Sequence, residues 1–150
     1  MYKLFLLLAI TVLSTTIKAQ DSTSFTLTFN HVALSVKDVD RSAEFYKNVL
    51  KLQEITNRTE MKGIRWFSLG EGKELHLVSV IKETVLINKA VHFALATSNF
   101  DALIKSLEIM NIPFSDWPGT ANKITIRADG IKQIYFQDRD GYWIEVNSAN

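Results

Sequence analysis

At 150 residues the chain has room for one compact domain, or for two half-domains sharing a core, and not for a second independent domain. Hydrophobic residues make up 47% and charged residues 22%, which excludes the sparse, highly charged composition of a disordered chain. With 17 basic against 16 acidic residues, no Lys/Arg cluster and no cysteine, the chain also excludes a nucleic-acid footprint, a disulfide framework and thiolate metal sites, leaving His, Asp and Glu as possible ligands.

Lys3 precedes an apolar run from Leu4 to Leu13, followed by Ser14-Thr15-Thr16-Ile17-Lys18-Ala19-Gln20. That run falls short of the roughly 20 residues a membrane span needs. A basic residue, a short apolar stretch and a small residue at Ala19 read together as a secretory signal peptide over 1–19, with an uncleaved anchor as the alternative. The mature chain is therefore expected to be exported, periplasmic or secreted, without stable membrane insertion. Residues 20–28 read as an N-terminal extension of that mature chain.

Phe25 to Val36 alternates as a strand, with Val32, Leu34 and Val36 opposite His31, Ala33 and Ser35. Asp38 then precedes a helix in which Val39, Ala43, Tyr46 and Leu50 form one apolar stripe. Strands are expected at Leu52 to Arg58, Gly63 to Leu69 and Lys73 to Val80, with Gly70-Glu71-Gly72 as the tight turn. A second round follows. Ala90 to Thr97 reads as a strand, and Asn99 to Met110 as a helix with Phe100, Leu103, Leu107 and Met110 facing inward. Further strands are expected at Ile112 to Trp117, Lys123 to Ala128, Lys132 to Gln137 and Tyr142 to Ser148. The order is βαβββ twice, with one additional short strand in the second round, an α+β chain whose domain spans 29–150, with module one at 29–88 and module two at 89–150.

The duplication is visible in the residues themselves. His31-Val32-Ala33-Leu34-Ser35-Val36 lies over His92-Phe93-Ala94-Leu95-Ala96-Thr97, and 61 residues separate the two histidines. Gly72-Lys73-Glu74-Leu75-His76-Leu77-Val78-Ser79 lies over Gly141-Tyr142-Trp143-Ile144-Glu145-Val146-Asn147-Ser148. The chain has three histidines, and this alignment places all of them: His31 opposite His92, and His76 opposite Glu145. Side chains on a strand alternate faces, so His76 and Glu145 point away from their aliphatic neighbours. If each sheet curls toward its polar face, His31, His76, His92 and Glu145 converge on one site. Three imidazoles and a carboxylate suit one divalent metal ion such as Zn, Ni, Mn or Fe, with positions left for water or substrate. Glu74 shares the face of His76 and is the alternative or outer-shell ligand. Arg65, Trp66 and Trp117 are candidates to line the cup, against a plain reading of the two tryptophans as packing residues and Arg65 as a solvated one.

The stretches Asn30 to Val36, Asp38 to Tyr46 with Val49-Leu50, and Phe136-Gln137-Asp138-Arg139-Asp140-Gly141-Tyr142-Trp143-Ile144-Glu145 resemble the vicinal oxygen chelate superfamily. That superfamily includes glyoxalase I, fosfomycin- and bleomycin-resistance proteins and extradiol dioxygenases, and the resemblance covers Phe29 to Ser148. It implies paired βαβββ modules in a cupped mixed sheet, a metal-bound small substrate chelating through adjacent oxygens, and a homodimer with a site often shared between subunits. His31, His92 and Glu145 match its most widely shared ligand positions. At the fourth position, where glyoxalase I has a carboxylate, this chain has His76 preceded by Glu74, so Glu145 is the catalytic base that the resemblance implies. The expected activity is a glyoxalase-like lyase or isomerase. A non-catalytic binding or resistance protein and an Fe(II) dioxygenase are the alternatives, with thiol transfer ranked lower because no phosphonate-binding basic group is recognisable.

Overall fold

A computed structural model describes residues 25–149, so the signal peptide expected over 1–19, and residues 20–24 of the extension, lie outside the described residues. Among the described residues no helix is long and apolar enough to cross a membrane.

The first module comprises β1 (His31–Ser35), α1 (Val39–Asn48), β2 (Glu54–Ile55), β3 (Ile64–Gly70) and β4 (Lys73–Val78). The second comprises β5 (His92–Ala96), α2 (Phe100–Ile109), β6 (Phe114–Ser115), β7 (Thr125–Ile126), β8 (Lys132–Gln137) and β9 (Trp143–Asn147). They form two mixed sheets, ordered β1-β4-β3-β2 and β5-β9-β8-β6, with the short β7 added beside β8. Each opening strand runs parallel to its module's closing strand and, among the described residues, has no second neighbour in its sheet.

Several elements are shorter than their patterns suggest, for local reasons. β1 begins at His31 rather than Phe25 because its partner β4 begins only at Lys73, beyond the Gly70–Gly72 turn, so residues before Asn30 have no strand to pair with. The run from Leu52 shrinks to Glu54–Ile55 because Asn57 turns the chain. Its side-chain amide donates to the Met61 and Ile64 carbonyls, and its oxygen accepts from the Thr59 N–H. Pro113 confines the run at 112–117 to two residues, and the second module carries the extra strand β7.

Both helices start where a side-chain cap is available. The Asp38 carboxylate accepts from the N–H groups of Asp40 and Arg41, and Asn99 accepts from that of Ala102. Helix α1 buries Ala43 and Tyr46 completely, and α2 buries Phe100 and Leu107. Met110, expected on the inner face, is the C-cap of α2 and is exposed. Leu75 and Leu77 on β4, and Ile144 and Val146 on β9, belong with residues of both helices to one continuous core. Each fully buried aliphatic side chain contributes about 1.5–3 kcal/mol.

The turn 138–142 ties the modules together. Buried Asp138 accepts from the Tyr46 hydroxyl at 2.6 Å and from the Asp140 and Tyr142 N–H groups. Asp140 accepts from the Ser42 hydroxyl and the Lys37 N–H, and the Tyr142 hydroxyl both accepts from and donates to the backbone of Ser35. Gly141 allows the turn, with φ at +94°. Burial raises the Asp138 carboxyl above the ordinary aspartate range, against the lowering effect of the Tyr46 hydroxyl, and burial likewise raises the Tyr46 phenol.

Tyr46→Phe leaves a buried acceptor without its donor and should cost about 1–3 kcal/mol, read as a lower urea midpoint at unchanged slope. Because the folded chain holds the Asp138 proton more tightly than the unfolded one, this group's favourable contribution is full below the ordinary aspartate pKa. It is lost as pH rises through the raised folded value, and Asp138→Asn should remove that part of the pH dependence.

Candidate metal centre

The pairing register reproduces the sequence duplication. Ala33 lies opposite His76 in the first sheet, and Ala94 lies opposite Glu145 in the second. On the other side of each closing strand, Trp66 faces His76 and Tyr135 faces Glu145. His76 and Glu145 therefore occupy equivalent places, and so do Trp66 and Tyr135.

In the first module the polar face carries a stack. The Arg58 guanidinium lies 4.5 Å from the Trp66 ring centroid, Trp66 is parallel to His76 at 4.0 Å, and His76 is stacked on His31 at 4.4 Å. His76 Nε2 donates to Glu74 at 2.8 Å, and Arg58 pairs with the same carboxylate at 2.7 Å. Those two hydrogen bonds, that from His76 first, hold the Glu74 carboxyl below its ordinary range. His31 differs from His76, since its Nδ1 is bonded to the Asn30 side-chain oxygen at 2.7 Å and, among the described residues, its Nε2 has no hydrogen-bond partner.

In the second module Glu145, only 8% exposed, accepts from the Tyr135 hydroxyl at 2.6 Å on one oxygen and from the Asn147 amide at 2.9 Å on the other. Desolvation first, and then the Glu145 hydrogen bond, raise the Tyr135 phenol well above the usual tyrosine value, so it stays a neutral donor. His92 Nδ1 lies 2.9 Å from the Lys89 carbonyl oxygen, which can only accept. Nδ1 therefore carries a proton and Nε2 is the nitrogen turned toward Glu145. That Nε2 stands 3.5 Å from Glu145 Oε2, too long for a good hydrogen bond. It is about the edge that two ligands share around an ion with bonds of roughly 2.0–2.2 Å. The donor set, two imidazoles oriented through Nδ1 and one carboxylate held on both oxygens, fits a divalent metal.

The expected ligands fall into two pairs, His31 with His76 and His92 with Glu145. Among the described residues no group of three or more His, Asp or Glu side chains is disposed to hold a metal ion, so the four do not meet within one chain. The physical reason is that the chain forms two separate sheets, each with its own polar face. Trp66 and Trp117 do adjoin the histidines, Trp66 by stacking and Trp117 edge-on to His92 at 6.0 Å. Arg65 does not line the cup. It alternates with Trp66 onto the helix side, where its guanidinium binds Glu54 and Asp40. Tyr135, Asn147, Asn30 and Arg58 escaped the sequence reading. Tyr135 follows Trp66 by 69 residues, as Glu145 follows His76, so extending the duplication by one strand would have found it.

The family model described as Glyoxalase/Bleomycin resistance protein/Dioxygenase superfamily matches residues 28–146. The chain is 29% identical over 122 residues to the uncharacterized protein YwbC of Bacillus subtilis, covering 77% of this chain and 93% of that one. It is 26% identical over 125 residues to Glyoxylase I 4 of Arabidopsis thaliana, covering 78% and 68%. Among solved structures, oxidase ChaP-H2 superimposes with a TM-score of 0.69 at 19% identity, covering 84% of this chain and 96% of that one, a likeness of fold.

Glu145→Gln should bring the Tyr135 phenol down toward its ordinary value, because the neighbouring charge is gone while the burial remains. A phenolate titration by tyrosine-selective NMR measures the change.

Proposed function

The chain belongs to the glyoxalase/bleomycin resistance protein/dioxygenase superfamily, and on that premise we propose an exported, metal-dependent lyase or isomerase of the glyoxalase type. Its substrate is a small molecule that chelates through adjacent oxygens. The observation that carries this reading is the 3.5 Å approach of His92 Nε2 to Glu145 Oε2, each group already oriented by a separate hydrogen bond. The leader expected over 1–19 supports export.

Because one chain presents only half of the ligands on each sheet, the complete site is assigned to a homodimer. His31, with His76 or Glu74, comes from one protomer, and His92 and Glu145 come from its partner. Phe25, Leu27 and Phe29, all exposed beside β1, supply apolar surface for such an association. A divalent ion held there supplies Lewis-acid stabilisation of negative charge developing on a substrate oxygen, a contribution of several kcal/mol. Glu145 is the proton carrier. Tyr135 and Asn147 fix its plane and occupy one acceptor position on each oxygen, leaving the carboxylate able to take a proton from the carbon beside the substrate carbonyl and return it to the neighbouring carbon. The cations that border the two pairs are already committed, Arg58 to Glu74 and Lys89 to backbone carbonyls, which favours this chemistry over recognition of a phosphonate.

A second reading is Fe(II)-dependent oxygenation. The observation favouring it is that His76 Nε2 is engaged by Glu74, which leaves His31, His92 and Glu145 as a two-histidine, one-carboxylate set.

His31→Ala and Glu145→Gln should each abolish stoichiometric metal binding. Mixing the two variants, unfolding and refolding them together, should restore about one quarter of it, since half of the random dimers carry one intact site of two. No recovery would mean that the ligands do not come from two subunits, and no metal on the wild type would favour simple sequestration. With metal-replete protein, α-keto aldehyde hemithioacetals should isomerise, and Glu145→Gln should slow turnover by about 10²–10⁴-fold. Oxygen uptake with catechols and Fe(II) would transfer the assignment to the second reading.

A further inference from the structure

We propose that Lys89 is a positioning residue of the His92 half-site, setting the ring's tautomer through its carbonyl and fixing the Trp117 indole against the ring through its ammonium. The inference deepens the reading of His92 as a ligand and rests on it for its functional consequence.

Lys89 lies in the connection between the modules, three residues before His92, in a turn closed by Asn88. The Asn88 carbonyl accepts from the Val91 N–H at 2.9 Å, and its side chain accepts from the Ala90 N–H at 3.0 Å. That turn brings the Lys89 carbonyl to His92 Nδ1. The side chain runs the other way. Its ammonium donates to the Ser115 hydroxyl at 3.1 Å, to the Asp116 carbonyl and to the Trp117 carbonyl at 3.1 Å. An ammonium has three donors, so all are used and none remains for an anionic substrate. The charge also lies 4.8 Å from the ring centroids of Tyr135 and Trp143 and 5.8 Å from that of Trp117, within cation–π range.

The contacts converge on the ligand. Trp117 stands edge-on to both His92 and Tyr135, and Tyr135 holds Glu145. One lysine therefore touches, directly or through one neighbour, both members of the His92–Glu145 pair. The first module does this differently. Its position 61 residues earlier is Thr28, and the Asn30 side chain orients His31. A lysine that only anchored the loop would not need its carbonyl on the histidine, and a plain turn would not need the ammonium in an aromatic enclosure.

The test uses the full mature chain, free of metal, with nitrogen-15 NMR of the histidine rings and of the assigned Trp117 indole N–H. In the wild type, His92 should show a proton on Nδ1 held in its hydrogen bond to the Lys89 carbonyl. Lys89→Met should give a mixture of tautomers and a more mobile, solvent-shifted Trp117, Lys89→Arg should restore much of both, and Asn88→Ala should disturb the ring alone. In zinc titrations Lys89→Met should weaken binding by about 10–100-fold, as loss of outer-shell support does elsewhere. A Lys89→Met protein that melts like the wild type, yet keeps the Nδ1–H tautomer and the Trp117 indole signal, would overturn the proposal. If Lys89→Met does not fold, the ring state in Asn88→Ala and the indole in Ser115→Ala decide the two halves separately. Failure of the wild type to bind zinc would sink the metal reading and leave the ring and indole measurements to judge Lys89.

Discussion

The parity of two closing strands governs the rest of the molecule. On β4 and β9 the residues at alternate positions must be aliphatic toward the helices and polar away from them, because Leu75, Leu77, Ile144 and Val146 form part of the core. Slipping either strand by one residue would bury His76 or Glu145 among hydrocarbon and expose two aliphatic side chains. The cost of burying an unpaired carboxylate forbids that. Core packing thus fixes which face His76 and Glu145 occupy.

The duplicated halves use the same scaffold for different electrostatics. At one pair of equivalent positions a flat indole covers an imidazole, Trp66 over His76, and the imidazole is held by a carboxylate two residues back. At the other pair a phenol donates to a carboxylate, Tyr135 to Glu145, and an amide two residues on completes the support. The first arrangement offers delocalised surfaces and shared protons, while the second offers a fixed negative charge. A site composed of one half of each kind has a soft side and a hard side.

Much of this was legible in the sequence, and the limits are physical. Helices α1 and α2 were readable because Asp38 and Asn99 cap them and each has an apolar stripe. The equivalence of His76 and Glu145 was readable because a turn glycine precedes each by four residues. Strand lengths were not, since β1 and β2 are cut by what lies opposite them or by the Asn57 side chain, which periodicity does not encode. Arg65 had two readings, a cup residue or a solvated strand residue, and the choice between them stayed open for a related reason. A long cation on the core side of a strand looks like a cup residue until Asp40 and Glu54 are known to lie within reach. Convergence of the four ligands depended on how two sheets face one another, a long-range relation that alternation within a strand leaves open.

Among the described residues, His31 and His92 both begin edge strands, each paired along one side only. Edges are where a sheet frays first, so the backbone amides of β1 and β5 should be among the earliest in their sheets to exchange with solvent. Whatever grips those two imidazoles also pins the loosest margins of the fold, and its release would loosen them again. A ligand held by both imidazoles would thereby couple occupancy to local order, a form of stapling open to a chain without a single cysteine.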